Sequence, residues 1–127
     1  MTSNVQFQIS TGELSTFDAT GTQTIIGYGY AGHPPHVNDP NACRIHGVGP
    51  LPVGAYFIGA PEDRLESVGV FALPLTPAPG TEMFGRGSFY IHGDNPEANQ
   101  TASDGCIVAT RPLREICATL GVLEVIA

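Results

Sequence analysis

The sequence is poor in basic side chains, which number five against twelve acidic ones and leave a net charge of −7. Binding a nucleic-acid backbone requires clustered Lys and Arg, so nucleic acid is not expected as a partner. No basic amphipathic segment offers itself to a membrane surface. Charged residues make up only 13% of the chain and apolar ones 42%, with 16 glycines and 11 prolines. This composition favours one turn-rich, strand-rich domain over residues 1–127 rather than a helical bundle or a disordered chain.

Long apolar runs are also missing. No stretch approaches the ~18 consecutive apolar residues of a transmembrane helix, so no membrane span is expected. The first 15 residues have no positively charged start and no continuous apolar core, which differs from a signal peptide. We therefore expect a protein that is made in the cytoplasm without a signal peptide.

Cysteines are few, odd in number and not arranged as CxxC: Cys43, Cys106 and Cys117. At least one thiol must stay free in a monomer, which does not suit a disulfide framework but suits a cysteine enzyme. No cofactor is expected.

Alternating apolar and polar residues at 4–9, 14–19 and 22–31 predict an antiparallel meander. Further strands are predicted within 49–59, 68–77 and 122–127, whereas the charged residues 61–67 predict a solvated loop. The residues expected in the core of the meander are Phe7, Ile9, Leu14, Phe17 and Ile25.

The only helical pattern follows at 111–121, where Pro112 fits a first turn and Gly121 a stop. Cys117 lies on its apolar stripe, so we expect it to be buried and inert. The predicted fold is mainly β, a sandwich or meander with one short C-terminal helix.

The stretch 89–108 carries the strongest chemical pattern. His92 ends an apolar run, and Cys106 ends a Ser-Asp-Gly-Cys turn that precedes another apolar run. The residues between them, 93–105, predict a loop joining two adjacent strands. Since an imidazole is the usual acceptor of a thiol proton, Cys106 and His92 are candidate nucleophile and base. Gly105 permits a tight turn, and its amide and that of Cys106 could donate to an oxyanion. The alternative is a buried Cys on a strand and a loop His.

A base also needs a third group to orient it. Asp94, Ser103, Asp104 and a backbone carbonyl all remain open for this role. An acid next to Cys106 raises the pKa of the thiol, so Asp104 suits a backbone contact better than activation. Ser103 suits holding the turn or bonding His92.

Ile-His-Gly at 91–93 followed by Ser-x-Gly-Cys-Ile at 103–107 resembles the signature of the L,D-transpeptidase catalytic domain. Two positions depart from it, with Asp104 for the usual second His and Val108 for the usual polar residue. Further blocks, in the same order as in that family, make the chain from about Gly12 onward similar to the type VI secretion L,D-transpeptidase effectors: YGYAG (28–32), NDP (38–40), GPLPVGAYFI (49–58) and MFGRGSFYIHGDN (83–95).

This resemblance implies an L,D-transpeptidase-like domain that acts on peptidoglycan tetrapeptide stems through a thioester on Cys106. The products would be those of L,D-carboxypeptidase action, or of L,D-transpeptidase exchange of the terminal D-amino acid. It also implies an antibacterial toxin that is exported by a secretion apparatus, acts in the periplasm of a target bacterium and is opposed by a cognate immunity protein. An alternative is a catalytically inactive module that binds cell wall.

Four side chains are candidates for substrate binding. Arg86, between two glycines, could fork onto a substrate carboxylate or fix the adjacent loop. The resemblance places Tyr56 beside the groove, although an amphipathic strand residue explains it equally well. Tyr30 and Asp94 complete the set, and Arg111 is a candidate substitute for the polar residue missing at Val108.

Residues 32–49 predict a loop longer than compact domains usually contain. It could wall a substrate groove, as the resemblance implies, or expose its histidines to solvent. A third hypothesis is a metal site, because the spacings His-x2-His and Cys-x2-His occur in zinc sites. Its ligands would be His33, His36, Cys43 and His46.

Overall fold

The computed structural model describes residues 5–64, 68–95 and 102–127. Within them the chain forms ten strands, one α-helix and a short 3-10 helix at Pro40–Ala42. The α-helix α1 is Arg111–Cys117. The strands are β1 (Val5–Gln8), β2 (Glu13–Phe17), β3 (Gln23–Tyr28), β4 (Tyr30–Ala31), β5 (Gly54–Ile58), β6 (Glu62–Arg64), β7 (Gly69–Pro77), β8 (Phe89–His92), β9 (Ile107–Val108) and β10 (Val122–Ile126).

The ten strands form one mixed sheet, in which nine follow the order β3-β2-β1-β10-β5-β7-β8-β9-β4 and β6 pairs with β7 beside this path. The pairs β1–β10 and β8–β9 are parallel, and the others are antiparallel. β3 and β4 end opposite sides of this order, although only Gly29 separates them in the chain. The sheet therefore curls until its ends approach each other. A Cβ at Gly29 would lie 2.5 Å from the Val108 carbonyl oxygen, so this passage requires glycine.

The mainly β class with one short C-terminal helix is confirmed, and β1, β2 and β3 form the predicted antiparallel meander. Phe7, Ile9 and Leu14 are fully buried, as predicted. The prediction was wrong for Phe17 and Ile25, which are 37% and 47% exposed. They lie where β2 pairs with β3, the terminal strand of the sheet order, and none of the described residues buries their side chains.

The prediction of a loop at 61–67 was wrong for part of the segment. Glu62–Arg64 form β6, because β7 offers an edge for pairing beyond its pairs with β5 and β8. Residues 65–67 lie outside the described part, as do Asn4 of the first predicted strand and residues 96–101 of the loop between His92 and Cys106.

The helix contains Pro112 in its first turn, as predicted, but ends at Cys117, earlier than Gly121. Cys117 is fully buried in the core, as expected. Across the described ranges, no helix combines the length and apolarity needed to span a bilayer.

Candidate active site

Two neighbouring parallel strands, β8 and β9, position the predicted nucleophile and base. Ile91 pairs with Ile107, and both are fully buried in the core. Because side chains alternate along a strand, His92 and Cys106 lie on the face opposite Ile91 and Ile107, where His92 is buried and Cys106 packs partly against the core. Both line an open cavity of about 530 Å³, here called the Cys106 cavity. The structure thus brings these two predicted residues to one site.

A backbone carbonyl orients His92. Its Nδ1 lies 2.8 Å from the Gly93 carbonyl oxygen. Since a carbonyl only accepts, Nδ1 carries the proton and Nε2 keeps its lone pair. Asp94 is occupied elsewhere, because its Oδ1 accepts from the Tyr30 hydroxyl at 2.7 Å and from the Asn95 amide at 2.9 Å. Among the candidates for orienting His92, the structure therefore places a backbone carbonyl, that of Gly93, against the imidazole.

Burial favours the neutral forms of the His92 and Cys106 side chains. It lowers the pKa of His92; the Gly93 carbonyl opposes this shift, and the positive charge of Arg114 adds to it. Burial raises the pKa of Cys106 to about 11, against a hydrogen bond from the Tyr90 amide to Sγ, while the Asp104 carboxylate raises it further. At neutral pH the site therefore holds a thiol and a neutral imidazole.

Ser103 and Gly105 build the turn that presents Cys106. The buried Ser103 Oγ donates to the Cys106 carbonyl at 2.6 Å and accepts from the Gly105 and Gly32 amides. It therefore holds the turn rather than bonding His92. The Gly105 amide donates to Ser103, so it is not free for the oxyanion role predicted for it. Of the two amides predicted for that role, the Cys106 amide remains.

Gly105 is required for a different reason. Its φ is +138°, and a Cβ there would lie 2.6 Å from Arg86 Nη2 and 2.8 Å from the Phe89 ring. The close approach of the Cys106 turn to Arg86 thus excludes any side chain at this position.

Arg86 braces the wall of the Cys106 cavity. Its two Nη atoms donate to four backbone carbonyls, and its guanidinium lies 5.0 Å from the centroid of the Phe89 ring. Because these donors already have acceptors within the protein, Arg86 is better explained as a residue that fixes the loops than as one that binds a substrate carboxylate. The four acceptors are the carbonyl oxygens of Cys43, Gly49, Pro50 and Asp104.

The remaining predicted binding residues do not line the Cys106 cavity. Tyr56 is fully buried, and its hydroxyl donates to the Pro52 carbonyl at 2.6 Å. It therefore belongs to the core, which counts against the predicted contact with substrate. The hydroxyl of Tyr30 accepts from the Ala102 amide as well as donating to Asp94. Tyr30 and Asp94 line a second cavity of about 500 Å³.

The donors of loop 32–49 do not converge. His36 Nδ1 faces Asp39, Cys43 Sγ donates to the Leu51 carbonyl, and His46 Nε2 donates to the Phe84 carbonyl. Within the described ranges, no three His, Cys, Asp or Glu side chains are placed to hold a metal ion. The zinc hypothesis therefore fails on geometry. His46 and Gly47 instead line the Cys106 cavity, as the groove-wall interpretation expected.

Replacing Asp104 with Asn should speed the alkylation of Cys106 by iodoacetamide at pH 8. The carboxylate raises the pKa of this thiol, so removing its charge increases the thiolate fraction, by about two- to fivefold. Cys43 and Cys117 are buried, and mass spectrometry of the labelled peptides follows Cys106 separately. Glu13→Gln, which removes one negative charge on β2, serves as the control. An unchanged or slower rate in Asp104→Asn would contradict the electrostatic argument.

The fold and site define a class: mainly β proteins in which a partly exposed cysteine and a carbonyl-anchored histidine share one cavity. The family model of the Tlde1 domain matches residues 26–120. The chain therefore belongs to the Tlde1 domain family of type VI secretion effectors. No curated protein and no solved structure matches the chain. The effector part of the resemblance is thus confirmed, and the L,D-transpeptidase activity stays a prediction.

Proposed function

We propose that this effector is a cysteine-dependent enzyme that acts on peptidoglycan tetrapeptide stems, as an L,D-carboxypeptidase or as an L,D-transpeptidase that exchanges the terminal D-amino acid. One observation carries the proposal. Cys106 and His92 open into the same cavity, and the Gly93 carbonyl leaves His92 Nε2 ready to accept a proton.

In the proposed reaction, His92 Nε2 takes the Cys106 proton as Sγ attacks the carbonyl carbon of the diamino acid that precedes the terminal D-alanine. The Cys106 amide donates to the resulting oxyanion. The C–N bond then breaks, His92 returns the proton to the leaving amine, and D-alanine departs. Water or an amine finally attacks the thioester and regenerates the thiol, giving hydrolysis or exchange.

Membership of a secreted effector family supports a target outside the producing cell. We place the reaction in the periplasm of a target bacterium, where loss of donor stems would starve cross-linking. A cognate immunity protein in the producing strain is part of this proposal.

A second candidate function is a catalytically inactive module that holds cell-wall peptide. The raised pKa of Cys106, about 11, and the engagement of the Gly105 amide by Ser103 favour it. Neither feature prevents catalysis by a neutral Cys–His pair, because the general base removes the thiol proton within the transition state.

Incubation with a synthetic tetrapeptide stem separates the two functions. The enzyme should release D-alanine and, after rapid acid quenching, carry an acyl adduct on the peptide that contains Cys106, seen by mass spectrometry. Peptide binding with neither D-alanine release nor adduct would reject the enzyme and support the inactive module.

A further inference from the structure

Shared lining residues link the Cys106 cavity to the second cavity, here called the Arg114 cavity. A smaller cavity of about 220 Å³ is lined by His92, Gly93 and Asp94. It shares His92 with the Cys106 cavity and Asp94 with the Arg114 cavity. Val108, which follows Cys106 by two residues and pairs with His92, also lines the Arg114 cavity. Two strand residues span ~6–7 Å, a separation that two residues of an extended peptide also cover.

Arg114 is a buried cation with one donor group to spare. It is 6% exposed; Nε donates to the Phe71 carbonyl at 3.0 Å and Nη1 to the Ala109 carbonyl at 2.6 Å. Among the described residues, Nη2 has no hydrogen-bond partner and no carboxylate lies within ion-pair distance. The Glu115 carboxylate acts on Arg114 electrostatically without pairing, and a buried charge that is not paired is costly. Such a cation at a cavity is suited to receive an anion.

The guanidinium of Arg114 lies next to the proposed base. A Cβ at Gly93 would be 3.0 Å from Nη1 and 3.5 Å from Nη2 of Arg114. The same Gly93 supplies the carbonyl that orients His92. An anion held by Arg114 would therefore lie beside the reacting groups.

Arg111 adds a second guanidinium to the cavity. It stacks over the Phe71 ring at 4.2 Å, and its Nε donates to Glu115, which leaves its Nη groups for a ligand. Asp94, the carboxylate in the lining, already accepts from Tyr30 and from the Asn95 amide. Two of the five cations of this acidic chain thus meet in one cavity.

We propose that the Arg114 cavity is a carboxylate-binding subsite, in which Arg114 and Arg111 hold a carboxylate of the peptide whose carbonyl Cys106 attacks. This inference rests on the proposed function for its choice of peptide. The stem offers three sources of the same chemistry: the terminal D-alanine, the side chain of the diamino acid and the D-glutamate. A planar guanidinium group can bind a carboxylate with two parallel hydrogen bonds.

Calorimetry with the full chain carrying Cys106→Ala tests the subsite without chemistry. The probe is the synthetic stem L-alanyl-γ-D-glutamyl-meso-diaminopimelyl-D-alanine, together with three analogues, each with one carboxylate converted to an amide. We expect Arg111→Gln and Arg114→Lys to weaken binding by about fivefold to a hundredfold. Arg64→Gln, which removes a charge outside these cavities, should leave binding unchanged. Thermal melting establishes that each variant is folded, and if Arg114→Lys unfolds, Arg111→Gln decides.

The amide analogues identify the carboxylate. One analogue should bind about tenfold or more weakly than the parent, and Arg111→Gln should weaken that analogue no further. The subsite is overturned if all three analogues bind like the parent, if the arginine variants bind normally, or if the parent stem does not bind. Carboxylate-dependent binding without D-alanine release or adduct in the native protein would reject the enzyme and keep the subsite. D-alanine release at the native rate in both arginine variants would reject the subsite and keep the enzyme.

Discussion

Cys106→Ala is expected to abolish D-alanine release at every pH, whereas His92→Ala should lose acylation only in a pH-dependent way. Cys106 is the sole thiol in the lining of the Cys106 cavity, so its removal leaves no acyl acceptor. Removing His92 takes away the general base, at a cost of about 10²–10⁴ in acylation rate near neutral pH. Because the pKa of the Cys106 thiol is raised to about 11, hydroxide progressively replaces the missing base. Adduct formation in His92→Ala should then rise about tenfold per pH unit.

The native protein supplies the matched comparison. Burial lowers the pKa of His92 below its usual 6.5, and the reaction needs the neutral imidazole. Acylation should therefore persist as the pH falls through 6.5 and decline only below the depressed pKa. The measurement is the initial rate of adduct formation from pH 5 to 10, with circular dichroism as the check on folding. Full activity in Cys106→Ala, or a pH-independent rate in His92→Ala, would contradict the assignment of nucleophile and base.

The sequence predicts most of what strand alternation and turn residues determine. The apolar runs that flank the loop 93–105 require two adjacent strands, and β8 and β9 follow with His92 and Cys106 on one face. The same rule is silent on which face of a strand is covered. Alternation therefore placed Ile25 in the core, and only the family resemblance placed Tyr56 at the groove, whereas Tyr56 is buried and Ile25 half exposed. Both outcomes depend on the order of strands in the sheet, which includes contacts distant in sequence.

The sequence also does not reveal which backbone groups make hydrogen bonds in the site. The Gly93 carbonyl that orients His92 and the Ser103 contact that occupies the Gly105 amide depend on φ and ψ, not on side-chain type. Arg114 was missed for a related reason. Its only signal is a position next to Leu113 on the apolar stripe of α1, and a helix pattern alone predicts an exposed arginine there. Arg114 can be buried because its guanidinium donates to the carbonyl of Phe71, on β7, and to that of Ala109, directly after β9.

Arg86→Met is expected to destabilise the fold more than any other change of a charged side chain at the Cys106 cavity. The variant keeps an apolar chain against Phe89 but leaves up to four carbonyls without their charged donor. Arg86 is partly solvent-accessible, so screening and water reduce the loss, and we expect about 2–4 kcal/mol in the free energy of unfolding. Denaturant titration followed by circular dichroism measures it. Arg64→Met breaks an exposed pair with Glu62 and should cost no more than ~0.5 kcal/mol.

The same variant separates the two roles that the sequence allowed for Arg86. If the guanidinium fixes the loops, Arg86→Met lowers stability. Acylation then also falls, because the Cys106 turn loses the hydrogen bond from Arg86 to the Asp104 carbonyl. Arg86→Lys should then lie between native and Met, since an ammonium reaches fewer of these acceptors than a planar fork. If the guanidinium binds substrate instead, Arg86→Met keeps its stability and loses affinity for the tetrapeptide. An unchanged unfolding midpoint with weaker peptide binding would therefore reverse the interpretation of Arg86 as a brace, and the four carbonyls would have to be satisfied by water.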